Sequence, residues 1–166
     1  MKRRSALLLL AQSSLVALLV AGCGFRLRGR QNFNFTTLAI MPNPGGAVAV
    51  ELRRTLENQV QLLAAGVPVT QAQVVLDILQ EQREKTVVGI NSTGQVRQFE
   101  LRIRVKFRVR SGDGKELVPE SEIVQQLDIS FNESAVLAKE AEETLLYRNM
   151  QTDIVQQLMR RLATIK

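Results

Sequence analysis

The most regular feature of the chain is a long alternation of apolar and basic side chains over residues 98–110. Successive side chains of a β-strand leave opposite faces of the sheet, so an alternation of this length predicts a strand with one buried face and one open face. The odd positions are apolar: Phe99, Leu101, Ile103, Val105, Phe107 and Val109. The even positions from 102 onward are basic: Arg102, Arg104, Lys106, Arg108 and Arg110. The functional question is what this basic face contacts.

Shorter patterns on either side predict the remaining elements. Apolar runs bounded by turn residues predict strands, and apolar positions that recur every three to four residues predict helices. Residues 36–41 form a predicted strand, 47–65 a helix that ends at Gly66, 74 to about 88 a second strand, 116–131 a fourth strand after the central one, and 134–165 a long helix. The chain order strand, helix, three strands, helix predicts an α+β fold. It is a two-layer sandwich in which two helices cover one face of a four-stranded mixed sheet.

The turn between the third and fourth strands predicts their pairing. Both strands have odd-numbered apolar faces, and a three-residue loop over residues 112–114 lets these faces coincide. This register places Arg110 opposite Glu116, Lys106 opposite Glu120 and Arg104 opposite Glu122. It leaves Arg102 and Arg108 freer for other contacts.

The first 23 residues have the pattern of a lipoprotein leader. A basic start, an apolar stretch and small residues before Cys23 are typical of a secretory signal peptide. The junction Val-Ala-Gly-Cys resembles the bacterial lipobox, in which the cysteine thiol receives a diacylglyceryl group and the new amino terminus is acylated. We therefore expect a signal peptide over residues 1–22, a lipid anchor and linker over 23–35, and one domain over 36–166. Gly24 after the cysteine favours the outer membrane, by resemblance to other bacterial lipoproteins.

Composition argues against most enzyme classes. The 166 residues include one Cys, no His and no Trp, and the formal net charge is +6. Without histidine, and with its single cysteine at the lipidation position, the chain lacks the common zinc sites and the serine or cysteine triads. The acidic neighbours Glu142 and Glu143 point apart on a helix, and Glu120 and Glu122 have basic residues across the strand. We predict no enzymatic activity, no metal and no dissociable cofactor.

The basic stripe has two interpretations that the residues leave open. It binds phosphate groups of lipopolysaccharide, the abundant anion of an outer membrane, or its charges are neutralised within the sheet. Nucleic acid is a poor third candidate, because a secreted lipoprotein seldom meets it and few aromatic residues are present for base stacking.

Several short segments together resemble the LptE (RlpB) family of lipopolysaccharide-assembly lipoproteins. They are residues 23–29 (CGFRLRG), 93–95 (TGQ), 137–140 (LAKE), 146–150 (LYRNM) and 156–162 (QQLMRRL). The resemblance implies a partner of the β-barrel LptD that plugs the barrel, helps it to assemble and assists lipopolysaccharide transport to the cell surface. It also implies lipopolysaccharide contact at Lys139. The family's other basic contact falls on Ser92 here, and Arg97 is the candidate to replace it, with Arg102 and Arg108 as further candidates.

The alternative is a different outer-membrane lipoprotein of the same shape. A pilotin for another pore, or a module that binds the cell envelope, has the same leader and requires no role in lipopolysaccharide export.

Overall fold

The computed structural model describes residues 31–165. In chain order the elements are β1 (Thr37–Met41), α1 (Ala47–Leu56), β2 (Gln61–Leu62), β3 (Val74–Ile90), β4 (Val96–Ser111), β5 (Glu116–Ser130) and α2 (Val136–Ala163). Short 3₁₀ turns at Val69–Gln71 and Glu133–Ala135 precede β3 and α2. The predicted signal peptide, Cys23 and the arginines of the linker lie outside the described residues.

The predicted α+β fold is confirmed, with a fifth strand added to the sheet. The strand order is β2-β1-β3-β4-β5, with β1 parallel to β2 and β3, and with β4 antiparallel to both neighbours. Both helices contribute to the main core on one face of this sheet. The long antiparallel strands β3, β4 and β5 form most of the sheet.

The first helix is shorter than the sequence predicts. It ends at Leu56, and the chain then turns so that Gln61 N–H donates to Thr36 O at 2.8 Å and Leu63 N–H donates to Leu38 O at 2.9 Å. The apolar residue at position 60 has helical spacing but is buried beside a short edge strand instead. The spacing of apolar residues cannot distinguish a helix that continues past Leu56 from a turn followed by an edge strand, because both bury the side chain at position 60.

The odd-numbered side chains of β4 form the centre of the core, as the alternation predicts. Leu101, Ile103, Val105 and Phe107 are fully buried, and Val109 is almost so. The buried residues of α2 all lie from Met150 onward, and Leu146 and Tyr147 pack against the same core while partly exposed. The first turns of α2, before Leu146, are therefore available to form a site.

The predicted β4–β5 register is correct only at the turn. Arg110 pairs with Glu116, but farther along the strands Lys106 pairs with Glu122 and Arg104 with Val124, a shift of two residues. The irregularity lies near Pro119, which has no N–H to donate to the ladder. Because the shift is even, the buried faces still coincide. Arg104 Nη1 reaches Glu122 Oε1 diagonally at 3.4 Å.

The two ends of the domain are defined by α2. Asn34 Nδ2 donates to Ile165 O at 2.8 Å, so the chain enters the domain beside the end of this helix. The start of α2 lies roughly 40 Å away along its axis, at a rise of about 1.5 Å per residue. Within residues 31–165, neither helix has the length and apolar character needed to span a bilayer.

Candidate functional site: a cleft at the start of helix α2

A cleft of about 230 Å³ opens between the first turns of α2 and the ends of the neighbouring strands. Residues from β3, β4, β5 and α2 all contribute to it. The lining consists of Lys85, Phe99, Ile129, Ser130, Phe131, Val136, Lys139, Glu140 and Glu143. The predicted site residue Lys139 therefore lines a concave surface, at the far end of the domain from the point where the linker enters.

The floor of the cleft is apolar and aromatic. The rings of Phe99 and Phe131 meet edge to face, with their centroids 5.3 Å apart and an interplanar angle of 81°. Phe131 N–H donates to Arg97 O at 2.8 Å, which holds this ring at the end of the ladder. Ile129 is buried beneath them. This floor can accept hydrocarbon, since its exposed atoms are largely carbon.

Two ammonium groups lie above this floor. Lys139 Nζ is 2.9 Å from Glu142 Oε2 and 3.2 Å from Ser130 Oγ. Lys85 Nζ is 2.6 Å from Glu143 Oε2 and 4.4 Å from the centroid of the Phe99 ring. Both ion pairs are partly exposed, and pairs of that kind contribute only about 0–1 kcal/mol. A phosphate group could therefore displace either carboxylate at low cost and would bind the same ammonium groups.

Lys85 is a site residue that the sequence did not reveal. Ile78 pairs with Phe107 but Gln80 pairs with Lys106, so Leu79 is an extra residue in β3. Before this bulge the even positions of β3 face the helices, and after it the odd positions do. Lys85 therefore faces α2. At the start of β3, in contrast, the odd-numbered residues face away from the helices.

Arg97 lies close to the cleft but does not line it. It is the second residue of β4, and its Nη2 is 3.3 Å from Gln95 Oε1. Ser92 lies in the exposed turn between β3 and β4. The structure thus places Arg97, rather than Ser92, in strand register with the cleft residue Phe131.

Arg102 and Arg108 lie on the opposite face of the sheet from Lys139. The sequence-based statement that they are freer than their neighbours is wrong. Arg102 Nη2 is 2.5 Å from Glu100 Oε1, and its Nη1 is 3.7 Å from Glu84 Oε2. The acids come from β4 itself and from β3, whereas the prediction considered β5 only. As lipopolysaccharide contacts these two arginines stay predictions, separate from the cleft.

Asp77 binds two arginines at the other end of the open face. Its Oδ2 is 2.9 Å from Arg108 Nε and 2.8 Å from Arg110 Nε, and the carboxylate side chain is 11% exposed. Burial alone raises the pKa of Asp77, but the hydrogen bonds and charges of Arg110 and Arg108 outweigh it and lower the pKa below its ordinary value. The cluster stabilises the sheet and leaves Arg108 partly neutralised.

Exposed apolar side chains surround the cleft end of the domain. Leu137 is 82% exposed and Ile90 is 65% exposed, and Val87, Val88, Val136 and Leu145 are also largely open. Grouped apolar exposure of this kind marks a surface that contacts lipid or protein.

Comparison with known protein families gives a match over most of the domain. The family model described as "LptE: Lipopolysaccharide-assembly" matches residues 35–162. This chain belongs to the LptE family. The family predicted from the short segments is thereby confirmed.

Relatives and solved structures extend the LptE match over most of the chain. The LPS-assembly lipoprotein LptE of Photorhabdus laumondii is 30% identical, over 91% of this chain and 82% of that protein. The LptE of Pectobacterium atrosepticum is 28% identical with the same coverage. A solution structure of lipoprotein B from Nitrosomonas europaea is 30% identical, with a TM-score of 0.72 over 84% of this chain and 90% of that one. Rare lipoprotein B from Shewanella oneidensis shares the fold at a TM-score of 0.65 and 23% identity, over 78% of this chain and 95% of that one.

Proposed function

We propose that this chain is a non-enzymatic outer-membrane lipoprotein that plugs the LptD β-barrel, helps it to assemble and assists lipopolysaccharide passage to the cell surface. Membership of the LptE family gives the chain a role in lipopolysaccharide assembly. The observation that carries the finer proposal is the cleft, where Lys139 and Lys85 stand above an aromatic floor. An amphiphile with phosphates next to acyl chains matches both parts of this surface.

The proposed anchor is an N-acyl and S-diacylglyceryl group on Cys23, outside the described residues. Several acyl chains hold a protein on a bilayer firmly, at about 0.8 kcal/mol per buried methylene. The linker enters the domain at one end of α2, and the cleft lies at the other end. The 28 residues of α2 place these two points roughly 40 Å apart.

The charged face of the sheet supports a position inside a barrel. Arg102, Arg104 and Lys106 alternate there with carboxylates from neighbouring strands. A barrel lumen is polar and lined by charged and hydrogen-bonding groups, so this face needs no apolar partner.

Crosslinking of intact outer membranes, followed by mass spectrometry, tests the barrel partner. We expect the lipidated full-length chain to be recovered with LptD. Reproducible recovery of a secretin or a peptidoglycan fragment alone would instead support the alternative lipoprotein, and absence of LptD from every preparation would contradict the proposal.

Combined replacement of Lys139 and Arg97 by glutamate tests the lipid site. The variant Lys139→Glu/Arg97→Glu should bind purified lipopolysaccharide about tenfold or more weakly, because one attractive charge in the cleft and one beside it become repulsive. Immobilised lipopolysaccharide on a biosensor gives the affinity, and circular dichroism verifies the fold.

The matched control carries the same charge change elsewhere. Lys115 lies in the β4–β5 turn and Arg160 on an exposed part of α2, both remote from the cleft. The variant Lys115→Glu/Arg160→Glu should retain most of the affinity. Equal losses in the two variants would show that net charge, and not the cleft, governs binding.

A further inference from the structure

Within the described residues 31–165, the outer edge of β5 is the longest regular strand edge that no neighbouring strand covers. β5 pairs with β4 on one side and is the last strand of the sheet. From Ile123 to Ser130 it follows β4 without any bulge. Pro119 and the irregular register interrupt only its first half.

The hydrogen-bonding direction of each residue on this edge follows from the ladder. Phe131 N–H donates to Arg97 O directly opposite, which identifies this as a hydrogen-bonded pair. Such pairs alternate along antiparallel strands, so the odd residues of β5 point their N–H and C=O groups toward β4. Val124, Gln126 and Asp128 therefore direct their backbone groups outward. Within residues 31–165, no backbone hydrogen bond to these outward groups is formed by a turn, loop or cap.

The other strand edges are protected in ways that β5 is not. At the opposite end of the sheet β2 has only two residues, and Arg53 Nη2 donates to Ile40 O at 2.6 Å. The part of β3 that extends beyond β1 carries Arg83 and Lys85, and Tyr147 O–H donates to Glu84 O at 2.7 Å. Lysine, arginine, bulges and covering side chains are the usual protection of edges against strand addition. β5 contains neither lysine nor arginine.

We propose that the Ile123–Ser130 edge binds an extended segment of the barrel partner by strand addition. The backbone groups of such a segment satisfy the outward N–H and C=O groups, as in other cases of β-augmentation. Glu122 and Asp128 lie on the open face and Leu127, 40% exposed, on the helix face. The matching segment therefore alternates basic and apolar side chains. A second copy of β5 fits poorly, because its four acids, Glu116, Glu120, Glu122 and Asp128, would face like charges.

This inference rests on the proposed function, since it takes the barrel partner LptD as the source of the segment. The end of the edge at Ser130 also lines the cleft. An added strand would therefore run directly toward the lipid site and form one of its walls.

Residue-resolved hydrogen exchange of the chain, free and in the purified complex with LptD, tests the inference. In the free chain the amides of Gln125 and Leu127 should be protected, and those of Val124, Gln126 and Asp128 should exchange quickly. In the complex the exchange rates of the Val124, Gln126 and Asp128 amides should fall by about a hundredfold or more, as they do when amides enter a stable ladder. A complex that forms while these three amides remain fast would overturn the strand addition and leave the proposed function standing. Failure to form any complex would contradict both.

Proline replacement gives an independent test. Gln126→Pro removes one outward N–H and leaves the ladder with β4 intact, as proline does at the solvent side of an edge strand. It should weaken association with LptD about tenfold or more relative to Gln126→Ala, which keeps the N–H and loses the same amide side chain. Equal affinities of the two variants would contradict the inference, as would a dimer of this chain that protects the same amides without LptD. If the proline variant does not fold, the exchange experiment on the unmodified chain decides.

Discussion

Replacement of Phe107 by alanine is expected to lower the free energy of unfolding by about 3–5 kcal/mol, the usual cost of deleting a buried aromatic ring. The Phe107 side chain is fully buried at the centre of β4, opposite Ile78. The guanidinium carbon of Arg161 lies 5.3 Å from the ring centroid, so the second half of α2 also depends on this ring. Equilibrium urea unfolding, followed by circular dichroism, measures the change.

An exposed residue provides the control for Phe107. Leu137→Ala removes apolar atoms from a side chain that is 82% exposed, and surface changes of this kind cost less than about 0.5 kcal/mol. A loss of 1 kcal/mol or less for Phe107→Ala would contradict the packing described here.

The strong alternation of β4 explains why so much of the fold could be predicted. Six apolar odd positions determine one buried face, and only a layer of helices or a second sheet can cover it. The long pattern after residue 134 supplies a helix of sufficient length. In contrast, the short strand β2 is held beside β1 by the backbone hydrogen bonds from Gln61 N–H to Thr36 O and from Leu63 N–H to Leu38 O, and no side-chain pattern records such a contact.

Irregular pairing limits what the sequence can predict about neighbouring side chains. The irregularity near Pro119 in β5 accounts for the error in the predicted β4–β5 register, and the extra residue Leu79 changes which side chains of β3 face the helices. A proline in a predicted strand is a visible warning, whereas Leu79 looks like any other apolar strand residue. Pairings close to a tight turn, such as Arg110 with Glu116, are therefore predictable, and those beyond a bulge are not.

The residues of the cleft could likewise be predicted only in part from the sequence. Lys139 was found through resemblance to a family, but its neighbour Lys85 reaches the site only because the bulge reverses the faces of β3. The aromatic floor combines Phe99 of β4 with Phe131, the residue after β5, and the two rings meet because the chain continues beside β4 beyond the end of β5. Distances between strands decide such a site, and the sequence alone does not contain them.

The arrangement of charge separates scaffold from binding surface. On the open face the bases are held by carboxylates of the same sheet, and Asp77 alone contacts both Arg108 and Arg110. At the cleft Lys85 pairs with Glu143 and Lys139 with Glu142, and both glutamates lie near the start of α2. An incoming anion can replace Glu142 more easily than Asp77, since the side chain of Glu142 is 46% exposed and that of Asp77 is only 11% exposed.

Replacement of Asp77 by asparagine is expected to lower the free energy of unfolding by about 2 kcal/mol at neutral pH, since it leaves two neighbouring guanidinium groups without their carboxylate. The partial exposure of Arg108, 48% for its side chain, keeps the effect below that of a fully buried pair. The effect should depend on pH. Because the pKa of Asp77 is lowered in the folded chain, its stabilisation is present above the unfolded pKa of about 3.9 and is lost as the pH falls through the folded value.

Urea unfolding of the original chain and of Asp77→Asn between pH 7 and pH 2.5 measures this dependence. The difference in free energy between the two should be largest near neutrality and should shrink below about pH 4. Asp153→Asn makes the same chemical change at an exposed position on α2 and should give a difference near zero. A difference for Asp77→Asn that stays constant down to pH 2.5 would show that the carboxylate charge does not hold the two arginines, and that asparagine fails there for reasons of shape alone.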